Sequence, residues 1–68
     1  MEDEVSQLLK ETEKLDNYLI YRKWPTEESE LFYEFCYAVI IKVHNHEYDF
    51  QFAINQIENA FRIMVYGE

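Results

Sequence analysis

Apolar residues recur at helical spacing in three segments of the chain. In residues 2–23 one helical face has residues three or four positions apart, namely Val5, Leu8, Leu9, Thr12, Leu15, Tyr18, Leu19 and Arg22. This spacing predicts a first helix with one apolar stripe. The acidic residues of its first turn and the cations Arg22 and Lys23 of its last turn complement the helix dipole. Proline disfavours helical geometry in the residue before it, so the helix should end by Trp24.

A second helix is expected over residues 26–43, with the Thr26 hydroxyl as its N-cap. At about 100° per residue, the apolar side chains between Leu31 and Val43 point to every side of this helix. A helix that is apolar all round is normally buried all round, which predicts a central position. The run from Val39 to Ile41 would also suit a strand, but the chain offers no second strand to pair with it.

A third helix is expected over residues 49–66, after a polar turn. Asp49 or the adjacent Tyr48 stands at its start, and Gly67 is the expected stop. Apolar residues step by four and three at Phe50, Ile54, Ile57, Phe61 and Met64. The predicted fold is therefore all-α. We expect one helical domain over residues 1–68, a small antiparallel three-helix bundle with helix 2 at its centre.

Composition and charge narrow the range of partners. The chain is 49% hydrophobic with a single Gly and a single Pro, unlike a disordered chain. Acidic residues number 14 against 6 basic ones, a net charge of -8, which argues against direct nucleic-acid or membrane partners. The single cysteine, Cys36, and the absence of an export signal or a long apolar segment favour a cytoplasmic protein.

An apolar surplus on helix 2 predicts self-association. Two neighbouring helices leave one side of a central helix uncovered, and domains this small gain little stability from one core without disulfides or metals. Tyr and Trp are also more numerous than such a core can hold, and these side chains are enriched at interfaces. We expect a homodimer packed through helix 2, with an interface formed by Tyr33, Tyr37, Ile40 and Ile41.

No residue pattern points to catalysis or to a cofactor. A metal site built from His44, His46, Glu47 and Asp49 is conceivable, because imidazole and carboxylate are common zinc ligands. A solvated helix-capping turn is the favoured alternative for these residues. Cys36 has apolar neighbours and no base, and no Gly-rich loop is present to hold a phosphate. The chain is predicted not to be an enzyme.

Helix 2 also carries an acidic stripe. Glu27, Glu30 and Glu34 fall on one helical face, where they could meet a basic partner or imitate DNA phosphates. More than half of the 14 acidic residues, however, lie at or near predicted helix starts, where capping and dipole effects explain them.

Residues 4–14 resemble a segment of a known family. The run from Glu4 to Lys14 is similar to the first helix of the small acidic immunity proteins that neutralise colicin nucleases. That family is a four-helix bundle that presents acidic residues and a Tyr-Tyr-Pro segment to a basic nuclease. This chain has no Tyr-Tyr-Pro and no fourth predicted helix, so no functional residue is transferred. The resemblance implies only a mode of action, in which a small acidic protein occludes a basic surface.

These observations favour a non-enzymatic interaction module, a small regulator or inhibitor of the kind that phages and mobile elements encode. It would dimerise and bind another protein that has a basic surface. The expected protein-binding residues are aromatic residues at the end of helix 1 and acidic residues of helix 2, namely Tyr18, Tyr21, Trp24, Glu27, Glu30 and Glu34. A structural subunit whose only partner is itself is the first alternative. A DNA mimic that inhibits a nucleic-acid-binding protein is the second.

Overall fold

The computed structural model describes residues 3–67, and these form three packed α-helices without a strand. The helices are α1 (Glu4–Tyr21), α2 (Thr26–His44) and α3 (Phe50–Tyr66). α2 packs extensively against both other helices, whereas α1 and α3 contact each other less. The all-α prediction is confirmed. Within the described part of the chain, no helix has the length and apolar character needed to cross a membrane.

The core lies where the three helices meet. Phe61 of α3 joins the helices, because its ring lies edge-on to Tyr18 of α1 at 5.5 Å and to Phe32 of α2 at 5.8 Å between centroids. Around this contact, the buried hydrophobic residues within 3–67 are Leu8, Leu19, Phe32, Cys36, Val39, Ile40, Val43, Ala53 and Ile57.

Two helix starts are capped by aspartate. Asp3 accepts a hydrogen bond from the Ser6 backbone N–H, and Asp49 accepts one from the Phe52 N–H, each at 2.7 Å. The predicted role of Asp49 is therefore confirmed. The predicted N-cap role of Thr26 is wrong: Pro25 holds that position without a side-chain hydrogen bond, and Thr26 is the first residue of α2. The expected start of helix 1 at residue 2 lies outside the described residues.

α1 and α2 end in the same backbone motif. At the end of α1, Trp24 N–H donates to Leu19 C=O at 2.9 Å and Lys23 N–H donates to Ile20 C=O at 3.0 Å. At the end of α2, Glu47 N–H donates to Lys42 C=O and His46 N–H to Val43 C=O. These are Schellman motifs, in which the chain turns through one left-handed residue.

The left-handed residues of these motifs are Lys23, with φ 55°, and His46, with φ 63°. α1 consequently ends at Tyr21, two residues before the predicted end, and Arg22 and Lys23 lie beyond its last turn. α2 extends one residue further than predicted, to His44. Gly67 is left-handed at the end of α3, as expected.

α2 is not buried all round within a single chain, in agreement with the expectation that two neighbouring helices leave one of its sides uncovered. Phe32, Cys36, Val39, Ile40 and Val43 face the core. Leu31, in contrast, is 65% exposed, because α1 and α3 leave the outer side of α2 uncovered.

Candidate functional site

A groove between α1 and α2 combines aromatic and acidic residues. Its volume is about 380 Å³. It is lined by Asp16, Ile20, Trp24, Thr26, Ser29, Glu30, Tyr33 and Glu34, which we call the acidic groove.

Helical spacing brings these residues to one place. On α1, Asp16 and Ile20 are four residues apart and so lie on the same face. On α2, Glu30 and Glu34 have the same spacing, with Tyr33 beside them. Between the helices, the Schellman motif at the end of α1 holds the Trp24 backbone, and the Trp24 side chain is part of the groove wall.

Trp24 has two roles in the structure. Its side chain is partly buried and packs against the hydrophobic core, so it supports the fold as well as lining the groove. Its indole Nε1 is shielded from solvent and makes no hydrogen bond with the described residues. A buried donor without an acceptor is energetically unfavourable, and it is satisfied in most native proteins.

The carboxylates of the acidic groove are available to a partner. Among residues 3–67, no ion pair involves Asp16, Glu30 or Glu34, whereas Lys42 and Glu47 form one at 3.7 Å elsewhere. Glu30 and Glu34 are both exposed. Three acidic side chains therefore surround a largely apolar groove, and no cation of the described residues pairs with them.

The predicted protein-binding residues do not all lie together. Trp24, Glu30 and Glu34 line the acidic groove, but Glu27 does not. The Tyr18 ring packs against Phe61, and the Arg22 guanidinium lies over the Tyr18 ring, 5.9 Å from its centroid. Tyr21 is 80% exposed and stands apart from the groove.

Two residues of α1 that line the groove, Asp16 and Ile20, were not predicted from the sequence. Their four-residue spacing was visible in the sequence. Because the opposing face of α2 was not known, nothing singled out this pair among the other polar and apolar residues of α1.

The expected dimer residues also separate into two groups. Tyr33 and Tyr37 stack with 6.5 Å between ring centroids, and both are exposed, as is Ile41. Ile40, in contrast, is only 5% exposed and belongs to the core of the single chain. The side chain of Ile40 points to the core because it shares a face with Cys36 and Val43.

A second, more apolar groove lies between α2 and α3. Its volume is about 290 Å³, and Glu28 is the ionisable residue of its lining. The lining consists of Glu28, Leu31, Phe32, Phe35, Ala60 and Met64.

The residues considered above as metal ligands or as a nucleophile lie outside the acidic groove. His44 and His46 are exposed beside Asp3 and Glu4, and no three His, Cys, Asp or Glu side chains among residues 3–67 are arranged to hold a metal ion. Cys36 is fully buried, and desolvation raises the pKa of its thiol to about 11. The Thr12 hydroxyl beside it opposes this rise only in part. Such a thiol is a poor nucleophile at neutral pH.

Known proteins give no independent assignment. The sequence matches no protein-family model, and comparisons with curated proteins and with solved structures give no significant match.

Proposed function

We propose that this chain is a non-enzymatic protein-interaction module, an antiparallel three-helix bundle that binds a basic surface of another protein. The observation that carries the proposal is the acidic groove, in which Trp24 and Tyr33 stand beside carboxylates that form no ion pair with any residue of 3–67. In this proposal the chain is a small cytoplasmic regulator or inhibitor, of the kind that phages and mobile elements encode, and it acts by covering the basic surface of its target.

The composition of the groove suits a binding hot spot. Trp and Tyr are the residues whose truncation most often weakens protein complexes, particularly in partly enclosed sites. Carboxylates around them attract a basic partner from a distance and disfavour acidic ones. The net charge of -8 adds to this attraction and makes association sensitive to salt.

Affinity capture with matched variants tests the proposal. The chain is immobilised and exposed to host lysate at moderate salt with nuclease added, and the eluted proteins are identified by mass spectrometry. The groove variant is Glu30→Gln/Glu34→Gln, and the control is Glu28→Gln/Glu58→Gln, which removes the same charge from exposed helical positions elsewhere.

A stoichiometric partner that the control retains and the groove variant loses would support the proposal. A partner retained equally by both variants would place its binding site elsewhere on the surface. Recovery of the bait alone would count against a foreign partner.

Self-assembly is a second candidate function, favoured by the exposed apolar side of α2. Leu31, Tyr37 and Ile41 are 65%, 51% and 46% exposed, and exposed apolar residues on one side of a helix can form a protein interface. If this side forms a homodimer, Tyr37→Lys and Ile41→Lys should each give the monomer mass in light scattering, with helicity unchanged because both side chains are exposed. Tyr66→Lys, which alters an exposed tyrosine on α3, is the control. An unaltered dimer mass in both α2 variants would exclude this interface.

A further inference from the structure

We infer that the acidic groove selects arginine: it receives the guanidinium side chain of a partner protein in preference to a lysine ammonium. This inference rests on the proposed function and deepens it, because it names the group that the groove recognises.

The size of the groove limits the occupant. About 380 Å³ is close to the lower end of the range of roughly 300 to 1,000 Å³ found for ligand pockets. Such a space accommodates one long side chain and its immediate backbone. It is too small for a whole helix.

Charge identifies the occupant as a cation from a foreign protein. Asp16 approaches from α1, and Glu30 and Glu34 approach from α2, without a cation partner among the described residues. A second copy of the chain, which carries a net charge of -8, is not complementary to the carboxylates of the groove. A basic segment of another protein is complementary in charge.

The walls of the groove distinguish arginine from lysine. Trp24, Tyr33 and Ile20 provide aromatic and aliphatic surface. A guanidinium group is planar, stacks on aromatic rings and is more weakly hydrated than an ammonium group. It also has five N–H donors in a fixed fork, so one guanidinium can bind more than one acceptor at a time, whereas an ammonium group acts as a compact point charge.

The Trp24 indole favours a peptide over a free cation. Its Nε1 has no acceptor among residues 3–67. A backbone carbonyl next to the bound arginine would supply that acceptor if binding turns the ring so that Nε1 leaves its shielded position and faces the groove. A simple inorganic cation has no such group.

Peptide titrations followed by ¹⁵N NMR test the inference. Three peptides of identical length and spacing are used, containing two arginines, two lysines or two citrullines between glycines; citrulline keeps the shape of arginine without its charge. We expect the arginine peptide to shift the Trp24 indole and the Ile20 and Tyr33 amide signals. Its affinity should exceed that of the lysine peptide by about fivefold, as expected for a partly exposed cation–π contact. The citrulline peptide should not bind.

Two pairs of variants separate charge from stacking. Glu30→Gln/Glu34→Gln should weaken binding of both cationic peptides, and Glu28→Gln/Glu58→Gln should not. Tyr33→Leu should remove most of the preference for arginine while lysine binding persists, and Tyr66→Leu is the matched control for loss of an exposed tyrosine.

Equal affinity for the arginine and lysine peptides would overturn the selection of arginine while leaving the groove a basic-partner site. Absence of shifts at Trp24 and Tyr33 with every peptide would also overturn it. The affinity-capture experiment judges the proposed function separately, because it reports whether a whole partner depends on the groove carboxylates.

Discussion

Two isoleucines of α3 offer a direct test of how this helix is oriented in the bundle. Ile57 is 0% exposed, whereas Ile63, six residues later on the same helix, is 57% exposed. The substitution Ile→Val removes one methylene at either position and leaves a β-branched side chain. Helix propensity therefore changes almost equally in both variants, and the difference between them reports burial.

The expected magnitudes follow from these exposures. Burying one methylene contributes about 0.8 kcal/mol, and with the cavity left behind Ile→Val in a core typically costs about 0.5 to 1.5 kcal/mol. We therefore expect Ile57→Val to lower the free energy of unfolding by about 1 kcal/mol. At Ile63 less than half of the side chain is covered, so the loss should be about 0.3 kcal/mol or less. Against a total stability of about 3 to 5 kcal/mol for a domain of this size, the first effect is large.

Urea denaturation followed by far-UV circular dichroism measures both values. Each variant is studied at several protein concentrations, because a homodimer would make the midpoint depend on concentration. Equal losses at Ile57 and Ile63 would refute the assigned orientation of α3. A larger loss at Ile63 together with a concentration-dependent midpoint would show that an assembly covers this side chain.

Three further predictions concern the caps and the buried thiol. Asp49→Ala should lower the free energy of unfolding by about 1 kcal/mol, because it removes the N-cap hydrogen bond of α3. Thr26→Ala removes no cap bond and should change the free energy of unfolding by less than about 0.5 kcal/mol. Similar losses in both variants would show that Thr26 caps α2 after all. The hydrogen bond from Ser6 holds the pKa of Asp3 in the folded protein below its usual value of 3.8. The stabilisation by this bond is therefore present above pH 3.8 and is lost as the pH falls through the pKa of the folded state. A titration midpoint of Asp3 at or above 3.8, measured by NMR, would contradict this. Cys36, with its pKa near 11 and no exposed surface, should react with a thiol reagent much more slowly in the native protein than in urea, and equal rates would mean that it is accessible.

Local sequence signals predicted the helices and some of their ends. Asp49 and Gly67 were identifiable because the N-cap bond and the left-handed stop depend on a few consecutive residues. Thr26 was misassigned because the usual preference for a hydroxyl at the N-cap favours it over Pro25, although the backbone places Pro25 there. The end of α1 was misplaced because its left-handed residue is Lys23, whereas glycine is the usual sequence signal for such an end.

Residues that depend on contacts between helices were harder to predict. The aromatic and acidic character of Trp24, Glu30 and Glu34 identified them in the sequence, but Asp16 and Ile20 join them only through the packing of α1 on α2. The number of predicted helices was enough to expect one uncovered side of α2, but which of its residues lie on that side depends on how α1 and α3 pack. With two neighbouring helices, Leu31 stays largely exposed.

The two Schellman motifs impose an unusual pattern of tolerance to mutation. A left-handed backbone is strained for most residues, by roughly 1 kcal/mol or more, whereas glycine adopts it without steric penalty and asparagine with little. In a saturation library selected for folded protein, Lys23 and His46 should therefore accept glycine and asparagine and reject valine and isoleucine, the reverse of the preference at exposed positions inside the helices. Proteins with the same fold should also favour glycine or asparagine at the positions of Lys23 and His46, where the chain leaves α1 and α2. These two positions would therefore help to recognise related sequences better than the exposed surfaces of the helices.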